Sequence, residues 1–377
     1  MIPKTLGNFT GYVLRIALNK KHVNVRHKLD TDIGKYYQTL NDVVIPECME
    51  FVKDAQGLPQ RMKECIGYTT PYCYEGWNFC VELLYKTVAD KPHQTEENLK
   101  KMRILRVLSD MSHSMHFILD DYADKAEFRQ GKKIWASICE GGQEAAIYDT
   151  FTVNYLINCM LQRHFRNDPG FTKMCEMFSW VNGNSGIGQV LDILDHKNSD
   201  FSDYASWKNK VEYKSRNTMC AFPVLGLLHA GLTCNDLIHK TMDIFGDYGL
   251  MFQVWNDFMD FYSVQEESGK GNYDCKNNVK TWATITAMSH FNPAQAKEFR
   301  DCYGTNDPAK RSRVRELFDE IDLPRKYLDY LRNIRVTVEK KISELSDARV
   351  RDASTSYLEW LHGNGHHDVE LEILKAP

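Results

Sequence analysis

The sequence predicts an all-α protein on three observations. Apolar residues recur at three- and four-residue spacing through residues 42–55, 97–119, 144–165 and 235–262, the period of helices with one face turned to a core. Strand-like alternation of apolar and polar residues is scarce. Breaks fall where Gly, Pro, Asn and Asp cluster: Asn167-Asp168-Pro169-Gly170, Gly183-Asn184, Glu267-Ser268-Gly269-Lys270-Gly271 and Asn306-Asp307-Pro308. Such residues punctuate helices. None of these breaks resembles an interdomain linker, and no short repeat divides the chain, so residues 30–377 are expected to form one helical domain.

The first 29 residues stand apart. They carry Lys4, Arg15, Lys20, Lys21, Arg26 and Lys28, with no acid before Asp30. Acid-free basic starts occur in mitochondrial transit peptides, and Tyr12-Val13-Leu14 with Ile16 and Leu18 could form a weak amphipathic helix. A disordered tail or the first turn of a domain helix accounts for the same composition. A cytoplasmic protein is expected, with the mitochondrion as the alternative. At the other end, His366-His367-Asp368 lies in a glycine-rich polar run and is expected to be a mobile surface turn.

Of 377 residues, 43% are hydrophobic and 26% charged, as in ordinary soluble domains, and the net charge of −4 gives no general attraction to nucleic acid or acidic lipid. No apolar run approaches the length of a membrane span, so stable membrane insertion is not expected. Eleven cysteines are scattered from Cys48 to Cys302 without a C-x-x-C pair. They read as reduced, mostly buried thiols and fit no zinc site.

The chemistry concentrates in two acidic clusters, Asp120-Asp121-Tyr122-Ala123-Asp124 and Asn256-Asp257-Phe258-Met259-Asp260. On a helix, positions i and i+4 share a face, so Asp120 pairs with Asp124 and Asn256 with Asp260. Each cluster directly follows an apolar run, Met115–Leu119 and Met251–Trp255, where unpaired carboxylates would be costly. Hard oxygen ligands suit Mg²⁺, which takes its remaining ligands from water and substrate phosphates. Arg129, Lys214 and Lys270 are cations suited to a diphosphate.

From about Arg61 to Tyr330 the chain resembles the farnesyl diphosphate synthases of animals, all-helical trans-isoprenyl diphosphate synthases. Phe117–Asp124 through Arg129-Gln130-Gly131 is similar to their first aspartate-rich motif. Ile187-Gly188-Gln189-Val190-Leu191-Asp192 is similar to their I-G-Q-x-x-D segment, and Lys214-Ser215 to their K-T pair. Phe252-Gln253-Val254-Trp255-Asn256-Asp257-Phe258-Met259-Asp260 resembles F-Q-x-x-D-D-Y-x-D. Gly269-Lys270, Tyr273-Asp274, Thr281-Trp282 and Leu323-Pro324 match further segments.

The departures are selective. The family holds its homoallylic substrate in a G-G-K-x-x-R segment and on the second arginine after the first motif. Here Tyr74 stands for the lysine, Trp77 for the second basic residue of that segment and Gln130 for the second arginine. Charge-assisted contacts are worth ~1.5–3 kcal/mol each, so losing three should largely abolish condensation. The allylic side keeps its aspartates and cations. Such an enzyme ionises an allylic diphosphate and lets the carbocation react alone. The chain is thus similar to the terpene synthases that insects derived from this family, and Asn256 matches the asparagine that opens the second motif of class I terpene synthases. The alternatives are a short-chain prenyltransferase and an inactive regulatory homologue.

The resemblance implies a helical bundle around a central cavity and a homodimer. It implies three Mg²⁺ ions held by Asp120, Asp124, Asn256 and Asp260, with Asp121 and Asp257 as ligands or supports and Asp192 ordering a metal-bound water. Arg129, Lys214 and Lys270 would grip the diphosphate. Tyr74, Trp77, Met115, His116, Phe117, Gln130, Gln189, Gln253 and Trp255 would meet the substrate. Phe178, Trp180 and Phe258 are further candidates for the lining, with core the expectation for Phe178 and Trp180. Vertebrate farnesyl synthases limit pocket depth with aromatics four and five residues before the first motif. Here His116 and Met115 stand there, leaving depth for a fifteen-carbon chain, so farnesyl diphosphate is favoured over geranyl diphosphate and a sesquiterpene over a monoterpene. The run Gly183–Gly188 has no preceding strand, which excludes a dinucleotide loop. It is expected to bend a helix or leave cavity room, with added bulk at Gly186 changing the product spectrum.

Overall fold

The computed structural model describes residues 33–73, 78–129, 131–195, 200–262 and 273–363, with two short strands at 12–15 and 372–375. The all-α expectation holds. Helices α1 (Ile33–Thr39), α2 (Ile45–Phe51) and α3 (Leu58–Thr69) lead to α4 (Phe79–Val88) and α5 (Glu96–Ala123). Next come α6 (Gly142–Phe165), α7 (Phe171–Asp195), α8 (Tyr204–Val211), α9 (Phe222–His229) and α10 (Asn235–Tyr262). Helices α11 (Trp282–Met288), α12 (Pro293–Cys302), α13 (Pro308–Glu320), α14 (Leu323–Ser343) and α15 (Ala348–Gly363) follow. One apolar core runs from Tyr36 to Leu361.

The ends of the helices follow from local chemistry. Thr95 caps α5 by accepting from the Asn98 amide, and Glu96 and Glu97 fill its first turn, which suits the positive end of the helix dipole. The expected break at Asn306–Pro308 is the start of α13, where the Asp307 side chain accepts from the Ala309 amide and Pro308 opens the helix. Asn292 and Gln295 form a reciprocal cap on α12.

Helix α5 is central. Every residue from Met102 to Met115 is buried, so it is enclosed on all faces. Its buried polar residues are tied to neighbours: Arg106 pairs with Glu82 at 3.2 Å, and Asp110 accepts from Tyr36 Oη and Asn78 Nδ2, each at 2.7 Å. The stretch Tyr12–Leu14, read as able to form a weak helix, is instead part of a strand, Tyr12–Arg15, paired antiparallel with Glu372–Lys375. A second small ladder joins Phe128–Arg129 to Lys132–Lys133. The remainder of residues 1–32 and the His366-His367-Asp368 run lie outside the described residues. Among these, no helix is long and apolar enough to cross a membrane. Ten described cysteines are free; Cys48, Cys65, Cys80, Cys220 and Cys275 are buried, and Cys139, Cys159, Cys175, Cys234 and Cys302 are at least partly open, so burial is less general than expected.

Burial, opposed by Arg106 and two hydrogen bonds, pushes the Asp110 carboxyl up to about 7. Its folded value exceeds the ordinary carboxyl value of about 4. The stability it contributes is therefore full below about pH 4 and lost as pH rises through about 7. Urea denaturation across this window should show the wild type losing stability relative to Asp110→Asn. A flat difference would mean that Asp110 titrates as an ordinary carboxyl.

Candidate active site

Three long helices end in aspartates. Asp120 and Asp121 occupy the last turn of α5 with Asp124 as its cap, Asp192 and Asp195 end α7, and Asp257 and Asp260 end α10. None of the three has a basic residue in its last turn. A helix C-terminus carries partial negative charge, so these carboxylates need cations from elsewhere. Arg129 donates from Nε to Asp121 at 2.8 Å and from Nη2 to Asp120 at 3.0 Å. Its guanidinium lies 4.5 Å from the centre of the Phe117 ring. Lys214 bridges Asp120 at 3.0 Å and Asp192 at 2.6 Å. Lys210 donates to the other Asp192 oxygen at 2.9 Å, and Lys280 to Asp195 at 2.7 Å.

The resulting lattice binds α5 to α7. Burial opposes the charge of Lys214, but Asp120, Asp192 and Asp124 hold its pKa well above the usual lysine value. Burial likewise opposes the Arg129 charge, and Asp121 and Asp120 raise its pKa. Both remain cations at any physiological pH. Burial, and then the neighbouring Asp120, push Asp124 up to about 7. Among the described residues, seven carboxylates (Asp120, Asp121, Asp124, Asp192, Asp195, Asp257, Asp260) and four cations (Arg129, Lys210, Lys214, Lys280) stand at these helix ends and beside them, an excess of negative charge.

The second cluster divides its roles. Asp257 accepts from Gln253 Nε2 at 2.6 Å and from the Trp282 amide at 2.7 Å. Both oxygens are engaged, so it supports the start of α11 and orients Gln253, which in turn accepts from Ser215 Oγ at 2.5 Å. Burial raises the Asp257 pKa, opposed by the Trp282 amide and Gln253. Asn256 is half-buried beside buried Asp260. Asn277 donates to the Asp124 carbonyl at 3.2 Å, tying the segment after α10 to the end of α5.

Half-buried stripes mark the face that each helix turns to the site. They are His116, Phe117 and Asp120 on α5, Asn182, Ser185 and Gln189 on α7, and Phe252, Trp255, Asn256 and Met259 on α10. Trp255 stacks on Phe252 at 5.6 Å. Met115 is buried just beneath. Of three aromatics named as further candidates for the lining, Phe178 is core as expected, while Phe258 and Trp180 are placed otherwise. Phe258 is stacked in the core between Tyr262 and Tyr327, and Trp180 is 43% exposed, against the core expectation, with its indole bonded to the Asn217 carbonyl. Tyr74, Trp77, Gln130 and Lys270 lie outside the described residues.

The device that presents Lys214 was not foreseen. Residues Glu212–Arg216 form a π-helical turn between α8 and the one-turn helix Asn217–Met219. Wider turns of this kind recur at functional sites. Two glycines clamp it. A Cβ at Gly188 would lie 2.4 Å from Lys214 Cα and N, and one at Gly249 would lie 2.7 Å from the Ser215 carbonyl and from Met219 Cβ. Glycine inside a helix costs ~1 kcal/mol relative to alanine, so such positions signal a close approach. Lys210 and Lys280 were also missed; single lysines carry no sequence signal of a distant buried carboxylate.

Gly186 is exposed, and a Cβ there meets nothing within 4 Å. Added bulk would have no side chain of this chain to press against, so nothing in the structure supports a packing role for that residue. Gly188→Ala should displace Lys214 and cut diphosphate release from an allylic diphosphate at least a hundredfold, whereas Gly186→Ala should leave it within about twofold. Initial-rate assays of the two variants make the comparison.

Comparison with known proteins agrees with this geometry. The polyprenyl synthetase family model matches residues 78–321. An "IDS-type sesquiterpene synthase" of Nezara viridula is 57% identical over 351 residues, 93% of each chain. A "Sesquiterpene alcohol synthase" of Murgantia histrionica is 39% identical over 358 residues, 95% of this chain and 93% of the relative. Farnesyl diphosphate synthase of T. brucei, solved with risedronate, superposes with a TM-score of 0.79 at 19% identity, over 87% of this chain and 98% of that one. At that identity the match speaks for the fold. The chain belongs to the polyprenyl synthetase family, on the branch of isoprenyl-diphosphate-synthase-type terpene synthases found in insects.

Proposed function

We propose that the protein is a sesquiterpene synthase that ionises farnesyl diphosphate with Mg²⁺, releases diphosphate and lets the farnesyl cation react within its own chamber. The observation that carries this is the convergence of the aspartate-bearing ends of α5 and α7 on Lys214, with Arg129 on the α5 aspartates and Asp257 of α10 within electrostatic reach of Asp192 and Lys210. The names of the relatives at 57% and 39% identity agree with a sesquiterpene product.

The donor set suits magnesium. Asp120 and Asp124 on α5 and Asn256 and Asp260 on α10 offer hard oxygens, while no three acidic, imidazole or thiol groups among the described residues form a closed cage. An ion that keeps several ligands for water and diphosphate needs no such cage. Three ions are proposed, and bound Mg²⁺ supplies Lewis acidity to the departing diphosphate. The protein's own residues do the rest. Arg129 and Lys214 are fixed cations that accept diphosphate charge, and Lys270 is proposed as a third. Asp192 holds Lys214 in place between its two lysine partners. Gln189, Gln253 and Trp255 border the substrate, and the rings of Phe117 and Trp255 offer π faces to a cation. Tyr74, Trp77 and Gln130 are proposed to fill the seat of a second diphosphate.

A homodimer is proposed from the outer faces of α6 and α7. Tyr148, Phe151 and Tyr155 on α6 and Trp180, Ile187, Val190 and Leu194 on α7 are all exposed. They form apolar stripes at helical spacing, and exposed clusters of this kind mark interfaces. Gly183 and Gly186 lie on the same α7 face, where their missing side chains meet nothing in this chain. That leaves room for a partner helix to approach.

Three experiments test these readings. Farnesyl diphosphate with Mg²⁺ should yield a sesquiterpene by gas chromatography, and Asp120→Ala should abolish it. Dimethylallyl plus isopentenyl diphosphate should give no longer diphosphate unless Tyr74→Lys, Trp77→Arg and Gln130→Arg are introduced together. Elongation by the wild type would make it a prenyltransferase. In sedimentation velocity the wild type should run as a dimer and Val190→Glu/Leu194→Glu as a monomer; a monomeric wild type would refute the interface.

A further inference from the structure

Diphosphate binding leaves a set of polar groups beneath the aspartates unexplained. His113 sits seven residues before Asp120 on α5, about 10 Å down the helix axis by the rise of 1.5 Å per residue. It is 7% exposed, in a largely apolar setting. Phe222 meets its ring edge-on at 5.0 Å, Phe117 stacks at 6.5 Å, and the His116 ring lies 6.2 Å away.

The hydrogen bonds fix the proton on each imidazole. His113 Nδ1 is 2.9 Å from Asn78 Nδ2, which also donates to Asp110 at 2.7 Å. An amide nitrogen only donates, so His113 Nδ1 accepts and Nε2 carries the hydrogen. That Nε2–H is buried and has no hydrogen-bond partner among the described residues. A buried donor left unmatched is costly and calls for an explanation. Beside it, His116 Nε2 lies 3.2 Å from Asn182 Oδ1, which also accepts from Ser112 Oγ at 2.9 Å, while Asn182 Nδ2 donates to Asn154 at 2.8 Å. A carbonyl oxygen only accepts, so His116 Nε2 is the protonated nitrogen and Nδ1 keeps its lone pair. Burial lowers both histidines, to about 3 and about 4, so both rings are neutral at neutral pH.

Two neutral imidazoles side by side therefore present one donor and one acceptor, about one and two helical turns below Asp120. We propose that His113 and His116 form a water-binding subsite, and that the enzyme ends its reaction by adding that water to the carbocation, giving a sesquiterpene alcohol. The proposal rests on the farnesyl diphosphate reading above. His113 Nε2–H donates to the oxygen of a water drawn from solvent. A lone pair on that oxygen forms the C–O bond to the cationic carbon. The O–H bond breaks, its electron pair stays on oxygen, and the proton passes to His116 Nδ1. The imidazolium then returns its proton to solvent water. Asp110, Asn78 and Tyr36 act as positioning residues that hold the His113 tautomer.

The test is incubation of the full chain with farnesyl diphosphate and Mg²⁺ in H₂¹⁸O, followed by gas chromatography with mass detection. The expected product is an alcohol heavier by two mass units. The ratio of alcohol to hydrocarbon, which does not depend on turnover rate, should fall at least tenfold in His113→Leu. It should stay within about threefold of wild type in His113→Gln, whose amide can still donate. His116→Leu, on the neighbouring ring, should move the ratio in the same direction as His113→Leu and guards against a folding failure in the first variant. Diphosphate release with hydrocarbon alone, an unlabelled alcohol, or a ratio unmoved in both leucine variants would overturn the subsite while sparing the synthase reading. No diphosphate release by the wild type would overturn both.

Discussion

The structure depends on an electrostatic debt gathered at one place. Helices α5, α7 and α10 each direct the negative end of their dipole, loaded with aspartates, toward the same region. Desolvated carboxylates at a helix C-terminus are unfavourable twice over, through burial and through the dipole. Lys214 answers for two of the three helices by bridging Asp120 and Asp192, and Lys210 and Lys280 extend the lattice to Asp195. Under the proposed function, the negative excess among the described residues is what a divalent ion would satisfy, and a diphosphate bound through that ion would complete the site.

This view explains why backbone packing near Lys214 is so tight. A lysine on a long flexible stem would otherwise sample many positions. The π-helical turn gripped by Gly188 and Gly249 fixes where its stem begins, and Asp192 fixes where it ends. Helix α5 has a related division of labour. Its buried length from Met102 to Met115 anchors it, so that the half-buried turn bearing His116, Phe117 and Asp120 can face the site without moving.

Much of this was legible in the sequence, for physical reasons. The 235–262 helix matches its expected span because a continuous 3.6-residue pattern over many turns is hard to mistake. The two aspartate clusters were found because i, i+4 acids directly after apolar runs are costly without a purpose. What stayed hidden depends on long-range contacts. Phe258 reads like a lining residue in its motif but lies between two tyrosine rings. Trp180 reads like core but faces outward on α7. The strand at Tyr12–Arg15 is stabilised by a partner 357 positions or more away, Glu372–Lys375, and no local pattern announces it. The tautomers of His113 and His116 follow from amides on other elements, Asn78 and Asn182, that no spacing rule connects to them.

The central claim is that the chain has one seat for a diphosphate, built from aspartate-bearing helix ends and completed by Mg²⁺. Titration calorimetry with inorganic diphosphate tests it most directly. The account predicts one diphosphate per chain, bound only when Mg²⁺ is present and lost in both Asp120→Ala and Lys214→Met. A second equivalent of diphosphate, or binding that persists without the metal, would contradict it.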